Sequence, residues 1–179
     1  MPEKPASSDV ANQLSTIRDF LRWALSEFRA AKVVHGHGTT SATDEAAFLI
    51  LEALHLPVED INPWLDARLL DAEKHKLATL IRKRIETRMP AAYLVKRAYI
   101  HGIPFFVDER VIVPRSFIAE LLREQLAPWV QRPGSIRHAL DLCTGSGCIG
   151  IACAYEFQSA EVVLTDLSYG ALEVANQNI

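Results

Sequence analysis

The chain has 179 residues, 49% hydrophobic and 23% charged, with a net charge of −3. That balance fits a globular protein and excludes an intrinsically disordered one. No apolar run reaches the ~18 residues of a membrane span, and Met1-Pro2-Glu3-Lys4-Pro5 lacks the charged and apolar regions of a signal peptide, so a cytosolic protein is expected.

In chain order, Met1 to Val10 reads as a frayed end, and residues 12 to 90 read as helical. Leu14, Ile17, Leu21, Leu25 and Phe28 recur at steps of three and four, which builds one apolar face. Ala46, Leu49, Ile50, Ala53 and Leu54 repeat the pattern, with Thr43 as N-cap, Asp44 and Glu45 in the first turn, and Pro57 ending the helix. A third face, Leu77, Leu80, Ile81 and Ile85, stops before Met89-Pro90. Together with Trp64, Leu65, Leu69 and Leu70 these faces predict a small helical bundle.

From Tyr93 the period shifts toward two. Ala98-Tyr99-Ile100 and Phe105-Phe106-Val107, separated by His101-Gly102-Ile103-Pro104, predict a β-hairpin, and Arg110 to Val113 continues extended to Pro114. Ser116 then caps a helix carrying Ile118, Leu121, Leu122 and Leu126, and the loop from Gln131 to Ser135 leads into a strand. Phe105, Phe106 and Trp129 are expected in the core. Cys143, Cys148 and Cys153 match neither a C-x-x-C metal pair nor a disulfide framework and read as small buried hydrophobes.

The chemistry concentrates after that loop. Ala139-Leu140-Asp141-Leu142 is an apolar run bearing an acid, followed by Cys143-Thr144-Gly145-Ser146-Gly147-Cys148-Ile149-Gly150, a glycine loop opening a helix. Glycines at 145 and 147 let the backbone turn sharply beside a ligand, and the helix start offers unpaired N–H groups. Asp166 follows Gly145 by 21 residues, at the end of the strand-like run Glu161-Val162-Val163-Leu164-Thr165, where an acid can accept hydrogen bonds from ribose hydroxyls. Two cofactors compete for this loop, and a turn that binds nothing is the third reading. Gly145 to Gly150 satisfies G-x-G-x-x-G, the NAD fingerprint of dehydrogenases. Asp141 and the polar Thr144 favour S-adenosylmethionine, because a carboxylate attracts an ammonium and a sulfonium and repels a pyrophosphate.

Asp141 to Ile149, followed by Asp166-Leu167-Ser168-Tyr169-Gly170-Ala171-Leu172, resembles the HemK/PrmB family of protein glutamine methyltransferases. The resemblance runs from about Leu14 to Ile179 and includes Asp19-Phe20-Leu21-Arg22-Trp23, Gly36-His37-Gly38-Thr39 and Ala91-Ala92-Tyr93-Leu94. Val111-Ile112-Val113-Pro114-Arg115-Ser116-Phe117-Ile118-Ala119-Glu120-Leu121 departs from the Pro-Arg-Pro-Glu-Thr-Glu of the release-factor branch and is similar to the PrmB branch, whose members methylate a glutamine of ribosomal protein L-three. The resemblance implies an α/β fold in three parts: residues 1–90 a helical substrate-recognition domain, 91–115 a β-hairpin linker, and 116–179 the start of a Rossmann-like class I methyltransferase domain. It also implies S-adenosylmethionine as cofactor, with Asp141, Thr144, Gly145 and Gly147 at its methionine end, Asp166 on its ribose and Arg115 closing the pocket. Ile118 stands where the release-factor branch has Thr, which removes a polar contact.

The family's catalytic Asn-Pro-Pro-Tyr does not occur in the sequence, so the chain reads as an N-terminal fragment without catalytic residues of its own. The resemblance implies ribosomal protein L-three or an early large-subunit particle as partner, and no membrane. Lys74, Lys76, Arg82, Lys83, Arg84, Arg88, Lys96 and Arg97 set eight cations against the single acid Glu86, which reads either as an RNA-facing patch or as a solvated helix face. His35-Gly36-His37 reads as a helix-ending turn rather than a metal site. Three classes of function follow: a glutamine methyltransferase (of ribosomal protein L-three, or of release factors), an NAD-dependent oxidoreductase, or a ribosome-binding helical module without catalysis.

Overall fold

The computed structural model describes residues 7–36 and 38–179, with side chains from Val10 onward, and the chain divides into two compact units between Val95 and Lys96. The first unit is helical: α1 (Ser7–Gln13), α2 (Ile17–Ala30), α3 (Ala42–Ala53), α4 (Asp71–Thr87) and α5 (Ala91–Val95). Residues 1–6 lie outside the described ones, and Ser7 to Val10 is helix where a frayed end was expected. Helix α2 starts in a reciprocal cap: Thr16 Oγ1 accepts from the Asp19 N–H at 3.2 Å, and Asp19 Oδ2 accepts from the Thr16 N–H at 2.9 Å. It buries Ile17, Phe20, Ala24 and Phe28, while Leu21 packs at the margin. Helix α3 is capped by Ser41, not Thr43, because Ser41 Oγ accepts from the Asp44 N–H at 3.1 Å and Thr43 already lies in the first turn. Phe20, Phe28, Leu49, Ile50, Leu77 and Ile81 fill the core, whereas Leu70, expected to help fill it, is exposed ahead of α4.

The second unit opens with a hairpin of β1 (Ala98–Ile100) and β2 (Ile103–Phe105), paired antiparallel with Ile100 opposite Ile103. The turn is only His101-Gly102, both at positive φ, so the second strand starts two residues earlier than expected and includes Pro104. Arg110 to Val113 is not a strand; Asp108 captures the chain in a turn, accepting from the Arg110 N–H at 3.1 Å. Ile100 and Phe105 pack with Ala119 of α6 (Ile118–Arg123) and with Cys148 of α7 (Cys148–Glu156). The expected helix after Ser116 is thus short, and Ser116 Oγ accepts from the Ile118 N–H at its start. Strand β3 (His138–Leu142), α7 and β4 (Glu161–Thr165) form a βαβ unit with parallel pairing, Leu140 opposite Val163, and α8 (Tyr169–Asn178) follows. Side chains alternate across the pair, so Ala139, Asp141, Val162 and Leu164 share one face and Leu140, Leu142 and Val163 the other. That second face is bare, with Leu140 60% and Leu142 68% exposed. Two expected core residues are also exposed. Trp129 stands out beyond α6, and Cys143, at φ +59°, turns off the end of β3, leaving Cys148 as the buried cysteine.

One buried ionic cluster organises the first unit. Glu45 and Arg84 are each 2% exposed. Glu45 Oε1 accepts from Arg84 Nε at 2.7 Å and from the Ala91 N–H at 3.3 Å, Oε2 pairs with His35 Nδ1, and Arg84 donates onward to the carbonyls of Val34 and Arg88. His37 lies outside the described residues. The expected cationic patch is therefore not one face: Arg84 is internal, Lys74 is paired with Asp71 and Lys76 donates to the Ala53 carbonyl, while Lys83 and Arg88 are exposed. Truncating one partner of such a pair strands the other charge in the core. Arg84→Ala should lower the unfolding free energy by about 3–5 kcal/mol, and Glu45→Gln with Arg84→Met should lose less than the single change. A urea-denaturation double-mutant cycle checks this; a near-neutral Arg84→Ala would contradict it.

Candidate functional site

The parallel register ends β3 and β4 side by side, at Leu142 and Thr165, and the site is built on those carboxyl ends. The chain leaves β3 through Cys143 and is caught at once, since the buried Thr144 donates its N–H to the Thr165 carbonyl at 2.9 Å. Gly145 and Gly147 then adopt φ of +58° and +81°, in the left-handed region that carries little penalty only for glycine. Helix α7 begins directly after Gly147. Its seating on the sheet depends on Gly150, where a Cβ would stand 2.6 Å from Leu164 Cγ.

Two carboxylates hold this loop. Asp141 Oδ2 accepts from Thr144 Oγ1 at 2.6 Å and from the Gly150 N–H at 2.9 Å, so a strand residue binds both the loop and the first turn of α7. Asp166 Oδ2 accepts from the Gly145 N–H at 2.9 Å, and its Oδ1 accepts from the Ser168 N–H at 2.8 Å. The Ser168 N–H first, and then that of Gly145, holds the Asp166 carboxyl below the usual carboxylate range, so it is ionised throughout the neutral range. Burial pushes the Cys148 thiol up, which makes it a poor nucleophile. The structure thus brings together five of the six residues singled out from the sequence: Asp141, Thr144, Gly145, Gly147 and Asp166. Arg115, the sixth, is exposed and lines a separate cavity of about 250 Å³ with Tyr99, His101, Ser116 and Phe117 among others.

This geometry bears on the two cofactor readings. A dinucleotide's pyrophosphate sits on the N–H groups of the helix start. Here the Asp141 carboxylate already occupies the Gly150 N–H and would set its charge against the phosphates. A cationic ligand is attracted by the same charge. Open space adjoins Gly145, where a Cβ would meet nothing within 4 Å. One residue of the site was not visible as such in the sequence: Asn178, at the end of α8, donates to the Ser146 carbonyl at 2.8 Å. An asparagine at a helix end signals only a C-cap.

The two glycines separate backbone strain from crowding. Gly145→Ala meets no atom and should cost about 1–2 kcal/mol through its left-handed φ, whereas Gly150→Val must push α7 off Leu164 and should cost about 2–3 kcal/mol by overpacking. Thermal and urea unfolding of both variants checks the order; a neutral Gly150→Val would mean that α7 is not seated as described.

Comparison with known proteins agrees with the loop's geometry. The family model for the methyltransferase small domain matches residues 119–179. A ribosomal protein uL3 glutamine methyltransferase of Bordetella pertussis is 51% identical over 167 residues, 93% of this chain and 56% of the relative. The protein of that name from Neisseria meningitidis serogroup A is 49% identical over 172 residues, 96% of this chain and 57% of the relative, and that of Francisella tularensis subsp. tularensis is 44% identical over all 179 residues and 57% of the relative. The chain thus spans somewhat more than half the length of the curated relatives it matches. No described helix is long and apolar enough to cross a membrane. With its βαβ unit and its glycine loop held by Asp141 and Asp166, the chain is similar across nearly its whole length to relatives named ribosomal protein uL3 glutamine methyltransferase, and its residues 119–179 match the methyltransferase small domain.

Proposed function

We propose that this chain is the cofactor-binding portion of an S-adenosylmethionine-dependent enzyme that methylates a glutamine side-chain amide of ribosomal protein uL3 in the cytoplasm. The observation that carries the reading is the identity of about half, across nearly the whole chain, to relatives bearing that name. The residues present fit the cofactor. Gly145 leaves room beside the backbone, Asp166 is an ionised acceptor at the second strand end, and Asp141 Oδ1 accepts no hydrogen bond among the described residues. When bound, S-adenosylmethionine supplies a methyl group on a positively charged sulfur. Asp166 would accept the ribose hydroxyls, Asp141 would favour the cationic end, and Gly145 and Gly147 would let the backbone approach. Arg115 would close the pocket from the segment after Pro114.

An amide nitrogen is a poor nucleophile, because its lone pair is delocalised into the carbonyl. Catalysis therefore rests on orientation and electrostatics, and none of the loop residues has to move a proton. The bare face with Leu140, Leu142 and Val163 fits a sheet that the remainder of a longer protein covers, since parallel sheets are buried on both faces. A contact with RNA, or with an early large-subunit particle, would draw on Lys83 and Arg88, because Arg84 is internal.

Titration calorimetry tests the cofactor assignment. S-adenosylhomocysteine should bind the chain and NAD should not, and Asp166→Asn should weaken that binding about tenfold or more by removing charge-assisted acceptors. Tighter binding of NAD, or an Asp166→Asn protein that is folded and binds equally well, would overturn the assignment.

A further inference from the structure

We infer that Asn178 is a positioning residue for the cofactor loop, an inference that rests on the cofactor reading above. Its side-chain amide is fully engaged with backbone. Oδ1 accepts from the Phe106 N–H at 2.7 Å, and Nδ2 donates to the Phe106 carbonyl at 3.0 Å and to the Ser146 carbonyl at 2.8 Å. A primary amide is the side chain that offers two donors and an acceptor in one plane. The two bonds to Phe106 fix the amide in orientation, and the remaining N–H is thereby aimed at the loop. Ser146 is the buried residue between the two left-handed glycines. Its carbonyl belongs neither to the β3–β4 ladder nor to the body of α7, so without Asn178 it loses a buried partner.

The loop is then gripped from both sides of α8. Asp166, ahead of the helix, accepts from the Gly145 N–H, and Asn178, at its end, donates to the carbonyl one residue later. The packing of Gly147 near Ala175, where a Cβ would stand 3.2 Å from the Ala175 Cβ, brings the same helix against the loop between these two bonds. Phe106 adds a third segment, the stretch that runs on toward Pro114 and Arg115. A second link in that region, Arg110 to Glu173 at 2.8 Å with Asp108 on the same guanidinium, ties the stretch to α8 without touching the loop. Asn178 is thus placed to hold the glycine loop in register with the segment proposed to close over the cofactor.

The test uses the 179-residue chain and two variants of Asn178. Asn178→Asp keeps the shape and the acceptor toward Phe106 but loses both donors, while Asn178→Ala loses everything; Glu173→Ala serves as the control that loosens α8 elsewhere. Amide hydrogen exchange is read at Gly145, Ser146 and Gly147 and compared with the β3–β4 ladder. Both Asn178 variants should exchange at least tenfold faster in the loop, with ladder amides within about twofold of the native rates, and should bind S-adenosylhomocysteine at least fivefold more weakly. Glu173→Ala should change neither. Native loop exchange in Asn178→Asp, or an equal rise along the whole ladder, would overturn the inference, the latter by showing a merely structural role. If the native chain fails to bind S-adenosylhomocysteine, the cofactor reading fails while the exchange measurement still decides whether Asn178 holds the loop.

Discussion

The second unit depends on one carboxylate oxygen. Asp141 Oδ2 takes the Thr144 hydroxyl and the Gly150 N–H together, so the end of β3, the loop and the first turn of α7 are fixed relative to one another by a single side chain. That bond satisfies one of the orphan donors at a helix start and places a negative charge at its positive end. The glycines at 145 and 147 supply the left-handed backbone that the geometry requires, and Gly150 supplies the space that lets α7 lie on Leu164. With the loop closed in this way, the Gly145 N–H points toward Asp166, and the two strand-end acids come to serve one site. On the proposed function, the Asp141 carboxylate on the Gly150 N–H would set its charge against a pyrophosphate and attract a cation.

Much of this was legible in the chain. The glycine loop, both acids and the two strands were readable because strand-turn-helix chemistry leaves short, local signals: apolar runs ending in an acid, and glycine where φ must be positive. The remaining features depend on contacts distant in sequence or on ambiguous neighbours. Ser41 and Thr43 are both acceptable caps, and only the bond to the Asp44 N–H decides between them. Pro104 reads as a turn residue, which sets the second strand two residues late, yet a proline is tolerated in a hairpin of two strands, both of them edges. Residue type alone places Trp129 and Cys143 in a core, but the first follows the short helix α6 and the second turns off a strand end. Arg84 looked like one cation in a basic stretch, and its partner Glu45 lies 39 residues away, beyond the reach of any local pattern.

The two units distribute polarity differently. In the first, an ion pair is buried and satisfied by the His35 ring and three backbone groups, so the cluster ties the ends of α3, α4 and α5 together. In the second, the polar groups that hold the loop gather at the carboxyl ends of the strands, and the sheet leaves Leu140, Leu142 and Val163 open on one face. On the proposed function, a sheet with one face under α7 and the other bare would form one wall of a cofactor pocket.

The central claim is that the cofactor sits on the loop joining β3 to α7 and beside the turn after β4. Nuclear magnetic resonance of the isotopically labelled 179-residue chain, titrated with S-adenosylhomocysteine, tests it most directly. The account expects shift changes centred on the amides from Asp141 through Gly150 and from Thr165 through Ser168 and reaching the segment around Arg115, with residues 7–36 and 38–95 unmoved. Changes centred on the helical unit, or on the cavity beside Tyr99 and His101 with the glycine loop silent, would contradict it.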